Sequence, residues 1–246
     1  MARFFVSKKD LHEKKGRVSG EELEHMRRVL RLRPGDQVTL FDDQGWEHEG
    51  VIRVYTDEFG EVEILSSVRP ERESPLEITL AQALGKGEKM DWVVEKATEL
   101  GAWRIVPFFS SRTVPRLDRE RLERRKSRWE KIALAAVKQS GRGRIPEILP
   151  AGDFTDLIGR PWECQLKLFF WEGESGQKLT QIRRERDRLD SILLVIGPEG
   201  GFSPAEASEA KRCGFQPVSL GKRILRTETA ALAVLAIVQC LWGDMS

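Results

Sequence analysis

The sequence predicts an α/β protein, with a mostly parallel sheet in its C-terminal part and a small β-rich unit before it. Three observations carry that reading. From about residue 76 onward, strand-like apolar runs alternate with helical patterns, the rhythm of parallel strands with helices over both faces. Two Gly-rich loops, Gly197-Pro198-Glu199-Gly200-Gly201 and the stretch from Leu220-Gly221 to Thr227, each run from an apolar strand into a helix within forty residues of chain. Because α/β sheets bind ligands beyond the carboxyl ends of their strands, the two loops are expected to edge one pocket for a small cofactor. Before residue 69, by contrast, short strand-like segments are separated by Asp- and Gly-containing turns.

Each element has its own signal. Ser19 and Glu22 have capping-box spacing, with Val18 and Leu23 placed for a hydrophobic staple. The helix that follows buries Leu23, Met26, Val29 and Leu30, leaves Arg27, Arg28 and Arg31 elsewhere on its circumference, and stops at Arg33-Pro34-Gly35-Asp36. Strands are predicted over 37–41, 46–56 and 61–68. Residues 69–75 are polar with two prolines and serve as the linker, which divides the chain into domains 1–72 and 73–246. A strand over 76–84 leads through Gly85-Lys86-Gly87 to a helix marked by Met90, Val93, Val94, Ala97 and Leu100, ending at Gly101. A strand over 104–109, a basic helix over 118–138, and strands over 166–171 and 191–196 come next. Ser203-Pro204-Ala205-Glu206 signals a capped helix start and Gly214 its stop. The last helix, 230–242, is apolar on nearly every side, so it is either engulfed by its own domain or covered by a second subunit; a homodimer is expected.

A chain of 246 residues with 40% apolar and 33% charged residues can bury a sizeable core. No run approaches the roughly 18 apolar residues of a membrane span, and the N-terminus lacks the pattern of a secretion signal, so no membrane partner and a cytoplasmic location are expected. Cys164, Cys213 and Cys240 are odd in number and widely spaced. They predict buried reduced thiols rather than a disulfide framework or a metal site. The net charge of +2 conceals an excess of +8 between residues 112 and 144, where twelve Lys/Arg face four Asp/Glu. Such a stripe is a surface for a polyanion or a solvated helix face.

The loop at 197–201 lacks the spacing of a P-loop or a dinucleotide fold, and Glu199 places a carboxylate where a phosphate would sit. It suits a cationic or neutral ligand, or is simply a tight turn. Here the wording becomes recognisable. Gly197-Pro198-Glu199-Gly200-Gly201-Phe202-Ser203, the run from Leu220 through Arg226-Thr227-Glu228-Thr229, Gly87-Glu88-Lys89-Met90, Gln139-Ser140-Gly141-Arg142, His25 to Arg31 and Phe41-Asp42 resemble the bacterial 16S ribosomal RNA uracil-N3 methyltransferase family of the SPOUT class. The resemblance spans essentially the whole chain.

It implies an N-terminal PUA-like β-barrel for RNA, a C-terminal SPOUT domain with a trefoil knot, a homodimer, S-adenosylmethionine as methyl donor, and one uridine of 16S ribosomal RNA in the small subunit as target. On the matching positions the donor is expected against Gly197, Pro198, Glu199, Gly200, Leu220, Gly221, Ile224, Leu225 and Arg226, with Trp171 and Glu172 as a third edge. Removing the weakly acidic uracil N3 proton needs an acceptor, for which Glu199 and Glu228 are the candidates, and a cation on the flanking oxygens, for which Arg226 is the candidate. For each glutamate the alternative is a helix-start carboxylate paired with amides or Arg. RNA phosphates are expected at Arg27, Arg31, Arg112, Arg116, Lys138, Gln139, Arg142 and Arg144. Many relatives have Glu where this chain has Lys138. A SPOUT enzyme acting on another RNA position, or a non-catalytic RNA-binding assembly protein, are the competing readings.

Overall fold

A computed structural model describes residues 1–85, 88–113, 118–173 and 177–245. Its contacts divide the chain into two units: Met1–Glu73 with Val137–Ile145, and Ser74–Ala136 with Pro146–Ser246. The first unit therefore includes a segment far along the chain, which a single cut at the linker does not anticipate.

In the first unit, β1 (Arg3–Phe5), β2 (Leu11–His12), β3 (Lys15–Ser19), β4 (Gln37–Phe41), β5 (Glu47–Tyr55) and β6 (Phe59–Val68) form an open sheet in the order β1-β4-β5-β6-β3-β2. Phe4, Val18, Val38, Leu40, Ile52 and Val62 alternate inward and meet Met26 in its core. Short α1 (Gly20–Glu24) runs directly into a π turn over His25–Val29. The expected capping box does not form, because Ser19 makes no side-chain cap. Glu22 instead accepts from the Phe5 amide at 3.3 Å and from Lys138 Nζ at 2.9 Å. Val29 and Leu30, expected inside, are exposed.

Residues 69–75 are tied down rather than free. Arg72 donates to Glu47 at 2.8 Å and to the Gly141 carbonyl at 3.1 Å, and Glu73 receives Arg142 at 2.7 Å together with the Gly143 amide at 3.0 Å. Arg3 reaches Glu47 at 2.6 Å and the Val137 carbonyl at 3.2 Å.

The second unit is built on strands β7 (Glu77–Ala83), β8 (Ala102–Phe109), β9 (Glu147–Ile148), β10 (Gly152–Asp153), β11 (Leu166–Phe170), β12 (Ser191–Ile196) and β13 (Gln216–Val218). The main path is β10-β8-β7-β12-β11-β13, with β9 beside β8, and all these pairs are parallel. All five residues from Ile192 to Ile196 are buried, as they must be when both faces of a central strand are covered. Helices α2 (Lys89–Glu99), α3 (Arg119–Ser140), α4 (Phe154–Gly159), α5 (Leu179–Glu185), α6 (Pro204–Arg212) and α7 (Thr227–Trp242) complete the unit, the end of α3 from Val137 grouping with the first.

The predicted box at the start of α6 is formed: Ser203 Oγ accepts from the Glu206 amide at 3.2 Å, and Glu206 accepts from the Ser203 amide at 2.8 Å. Helix α7 packs on α2 and β12 and leaves Ile237 exposed. Cys240 is exposed and Cys164 and Cys213 are only half-buried, which corrects the expectation of three interior thiols. Among the described residues no helix is long and apolar enough to cross a membrane.

Candidate active site

Strand order reverses between β7 and β12: β8 follows β7 on one side, while β11, β12 and β13 lie on the other. The crevice at such a switch point is where open α/β sheets take ligands. Here a cleft with a cavity volume of about 150 Å³ opens beyond the carboxyl ends of β11, β12 and β13. Its walls bring together Trp171, Glu172, Gly197, Pro198, Glu199, Leu220, Gly221, Ile224 and Leu225, nine of the positions expected at the donor. Gly200 and Arg226 are not part of its lining. Gly200 is exposed with its carbonyl turned to Arg112 Nη1 at 2.6 Å, and Arg226 is the exposed N-cap residue of α7.

Two of the glycines are required by close approach. A Cβ on Gly197 would lie 2.7 Å from the ring of Phe202, which is buried among Phe108, Phe154 and Phe169. Gly201 has φ +66°, and a Cβ there would lie 2.6 Å from Glu172 Oε1.

The two loops are joined by a buried polar bridge that sequence reasoning missed. Thr227 Oγ1, at the first turn of α7, donates to the Gly197 carbonyl at 2.5 Å and accepts from Gln82 Nε2 at 2.8 Å. Gln82, the last residue but one of β7, is buried and also donates to the Ala83 carbonyl at 3.1 Å. A glutamine in an apolar strand carries no periodic signal of such a role, though a buried amide always demands partners. Ser110, at the end of β8, is likewise buried, and the Ser111 amide donates to Glu206 Oε1 at 2.9 Å. Burial pushes the Glu206 carboxyl up, but hydrogen bonds from Ser111 and Ser203 outweigh it and hold the group below its ordinary value.

Lys89 is the second residue the sequence did not single out for this site. Its Nζ lies 2.9 Å from Glu199 Oε1 and 3.6 Å from Glu228 Oε2. Both candidate proton acceptors therefore share one ammonium, whose pKa is raised, chiefly by the hydrogen bond to Glu199.

The residues expected on RNA fall into two groups. Arg27 and Arg31 are exposed, Arg27 lying 5.2 Å from the Tyr55 ring, and Arg112 and Gln139 are exposed too. Lys138 is half-buried between Glu22 and His25, and Arg142 is 4% exposed with its guanidinium on Glu73. Arg144 is half-buried, its amide on Glu73 at 3.2 Å. Arg116 lies outside the described residues, as do Lys86 and Gly87. Phe108, Phe109 and Trp129 are buried core, with Trp129 Nε1 donating to Asp91 at 2.9 Å. Among the described residues no group of three His, Cys, Asp or Glu could hold a metal ion.

Comparison with known proteins matches this architecture. Residues 72–239 match an RNA methyltransferase domain, and residues 18–65 match an RNA methyltransferase PUA domain. The ribosomal RNA small subunit methyltransferase E of Bacillus subtilis is 31% identical over 99% of this chain and 100% of its own. The chain belongs to the ribosomal RNA small subunit methyltransferase E family. The family's Synechocystis member is 34% identical over 97% of this chain and 77% of its own. The crystal structure of the family's Neisseria gonorrhoeae member, bound to S-adenosyl methionine, superposes with a TM-score of 0.88 at 36% identity over the whole of both chains. A Legionella pneumophila methyltransferase, in complex with the same cofactor, gives 0.89 at 34% identity over 98% of both. The fold class is thus α/β of the SPOUT type with an N-terminal PUA domain.

Proposed function

We propose that this chain is an S-adenosylmethionine-dependent methyltransferase that modifies N3 of one uridine in 16S ribosomal RNA of the small subunit. The observation that carries this reading is the cleft beyond β11, β12 and β13, lined by residues of this chain's two glycine-bearing loops at 197–201 and 220–225. The cleft suits the donor chemically. It offers loop backbone for polar edges, Leu220, Leu225 and Phe170 for an apolar ring, and Glu172 and Glu199 for a cation. When bound there, S-adenosylmethionine supplies an electrophilic methyl group on a sulfonium.

The chain's own residues do the rest. Glu199 or Glu228 accepts the proton from uracil N3, directly or through one water, and the electron pair left behind spreads over N3 and the flanking carbonyl oxygens. The Arg226 guanidinium stabilises those oxygens, and Lys89 holds the two carboxylates in place. Ordering both reactants in one cleft contributes several kcal/mol to lowering the barrier. RNA phosphates are met by the exposed Arg27 and Arg31 of the PUA domain and by Arg112.

The exposed Ile237 on α7 and Trp92 on α2 support a homodimer, with a second copy covering these side chains. The location consistent with this substrate is the cytoplasm.

The deciding experiment is incubation of unmethylated small subunits, and of the naked RNA, with the protein and labelled donor, followed by nucleoside analysis. 3-Methyluridine is expected. Ribose methylation or another modified base would overturn the target, and absence of any product together with absence of donor binding would overturn the activity. Arg226→Ala is expected to lower turnover at least a hundredfold while changing the donor's Kd less than threefold. Unchanged turnover would remove Arg226 from the mechanism.

A further inference from the structure

Three of the cations expected to meet RNA are already engaged. Lys138 is held by Glu22, Arg142 by Glu73, and Arg112 by the Gly200 carbonyl. A cation paired with a partly buried carboxylate must break that pair before it can serve a phosphate, which cancels much of the gain. Lys222 and Arg223 differ. Both are exposed, and among the described residues neither side chain has a hydrogen bond or ion pair.

Their position is equally specific. Both line the cleft, as does Ile224, which is 83% exposed and so the most exposed of the large apolar side chains among the described residues. The stretch is anchored at each end. The Gly221 amide donates to Ser219 Oγ at 3.2 Å on one side, and Thr227 is fixed to Gly197 on the other. An aliphatic side chain presented to water directly after two cations that have no hydrogen bond or ion pair among the described residues, on an anchored loop at the mouth of a cleft, has the composition of a lip for single-stranded nucleic acid. Cations track the backbone and the apolar group meets a base.

We infer that Lys222, Arg223 and Ile224 form a docking edge for a single-stranded RNA segment, the two cations on phosphates flanking the target nucleotide and Ile224 against its unstacked base. The inference rests on the function proposed above. Because N3 lies on the Watson–Crick edge of uracil, its methylation requires an unpaired base, and an enzyme that acts on such a base must hold it out of the stack. The lip supplies that hold next to the site of transfer.

The test uses the full chain and a fluorescent, uridine-containing single-stranded RNA 12-mer, with binding measured from 50 to 300 mM salt with and without S-adenosylmethionine. For single strands each phosphate contact contributes about 0.7 to the slope of log affinity against log salt. The double variant Lys222→Ala/Arg223→Ala is therefore expected to flatten the slope by about 1.4 and to weaken binding at 50 mM salt about tenfold or more, with its Tm unchanged. Ile224→Ala is expected to weaken 12-mer binding severalfold at every salt concentration without altering the slope, and Ile224→Leu to restore it. A double variant with the parent's slope would overturn the inference, as would an Ile224→Ala variant that binds like the parent. If the parent bound no S-adenosylmethionine, the function reading would fall, while the slope comparison without donor would still decide the lip.

Discussion

Replacing Thr227 by valine removes one hydroxyl from the bridge between the two glycine-bearing loops while keeping the side chain's shape. Two hydrogen bonds disappear, Thr227 to the Gly197 carbonyl and Gln82 to Thr227. Gln82 Nε2 keeps the Ala83 carbonyl, so its loss is partial. Each bond contributes about 0.5–1.5 kcal/mol net, and a buried group left unsatisfied costs about 1–3 kcal/mol. The expected destabilisation is thus about 2–3 kcal/mol. Thr227→Ser keeps the hydroxyl and loses one methyl group, at about 0.8 kcal/mol. Urea unfolding of the three proteins gives the comparison directly, as a midpoint shift at constant slope. Because the bridge also fixes where the second loop stands relative to the first, calorimetry with S-adenosylmethionine is expected to show about tenfold weaker binding for valine and near-parental binding for serine. Equal stability and equal affinity in the valine and serine variants would refute the assignment of Thr227 as the tie between the loops.

Two further outcomes follow from the same site. Gly197→Ala drives a Cβ to 2.7 Å from the Phe202 ring, and because that ring is enclosed by Phe108, Phe154 and Phe169 it cannot retreat. A loss of about 1–3 kcal/mol is expected on thermal unfolding, along with weaker donor binding, and a parental Tm would show that the ring has room. Glu206→Gln tests the linkage between charge and stability. The Glu206 pKa is lowered in the folded chain, so its ionised form stabilises the fold above the ordinary glutamate range, and that contribution is lost as pH falls through the lowered value. The parent is expected to exceed the glutamine variant by about 1 kcal/mol at pH 7, with the gap closing below about pH 4. A gap independent of pH would exclude the carboxylate as its source.

What could be read from the sequence follows from how local each determinant is. Strand β12 was legible because five successive apolar residues have no other use in an α/β chain, and α6 because its cap, its proline and its reciprocal glutamate lie within four residues. The same reasoning failed at Ser19 and Glu22, although the spacing is identical. Lys138, 116 positions away, takes the glutamate that the box would use. Strands β1, β2 and β3 escaped notice because they are two to five residues long and mix charge with apolar groups, too short for alternation to register. Nine of the eleven expected cofactor residues line the cleft, since glycines beside a strand end report close backbone approach. Lys89 and Gln82 were not legible, because what makes them part of the site is a partner brought near only by folding.

The grouping of Val137–Ile145 with Met1–Glu73 sets an order on biosynthesis. When the first 73 residues leave the ribosome, Arg3 and Glu73 still lack the Val137 carbonyl and the Arg142 guanidinium they will hold. The PUA module must therefore wait, incompletely closed, while more than sixty further residues are translated. A gene fragment ending at the linker would encode that waiting state rather than a portable RNA-binding module, and a graft of this domain onto another enzyme would have to carry the distant segment with it.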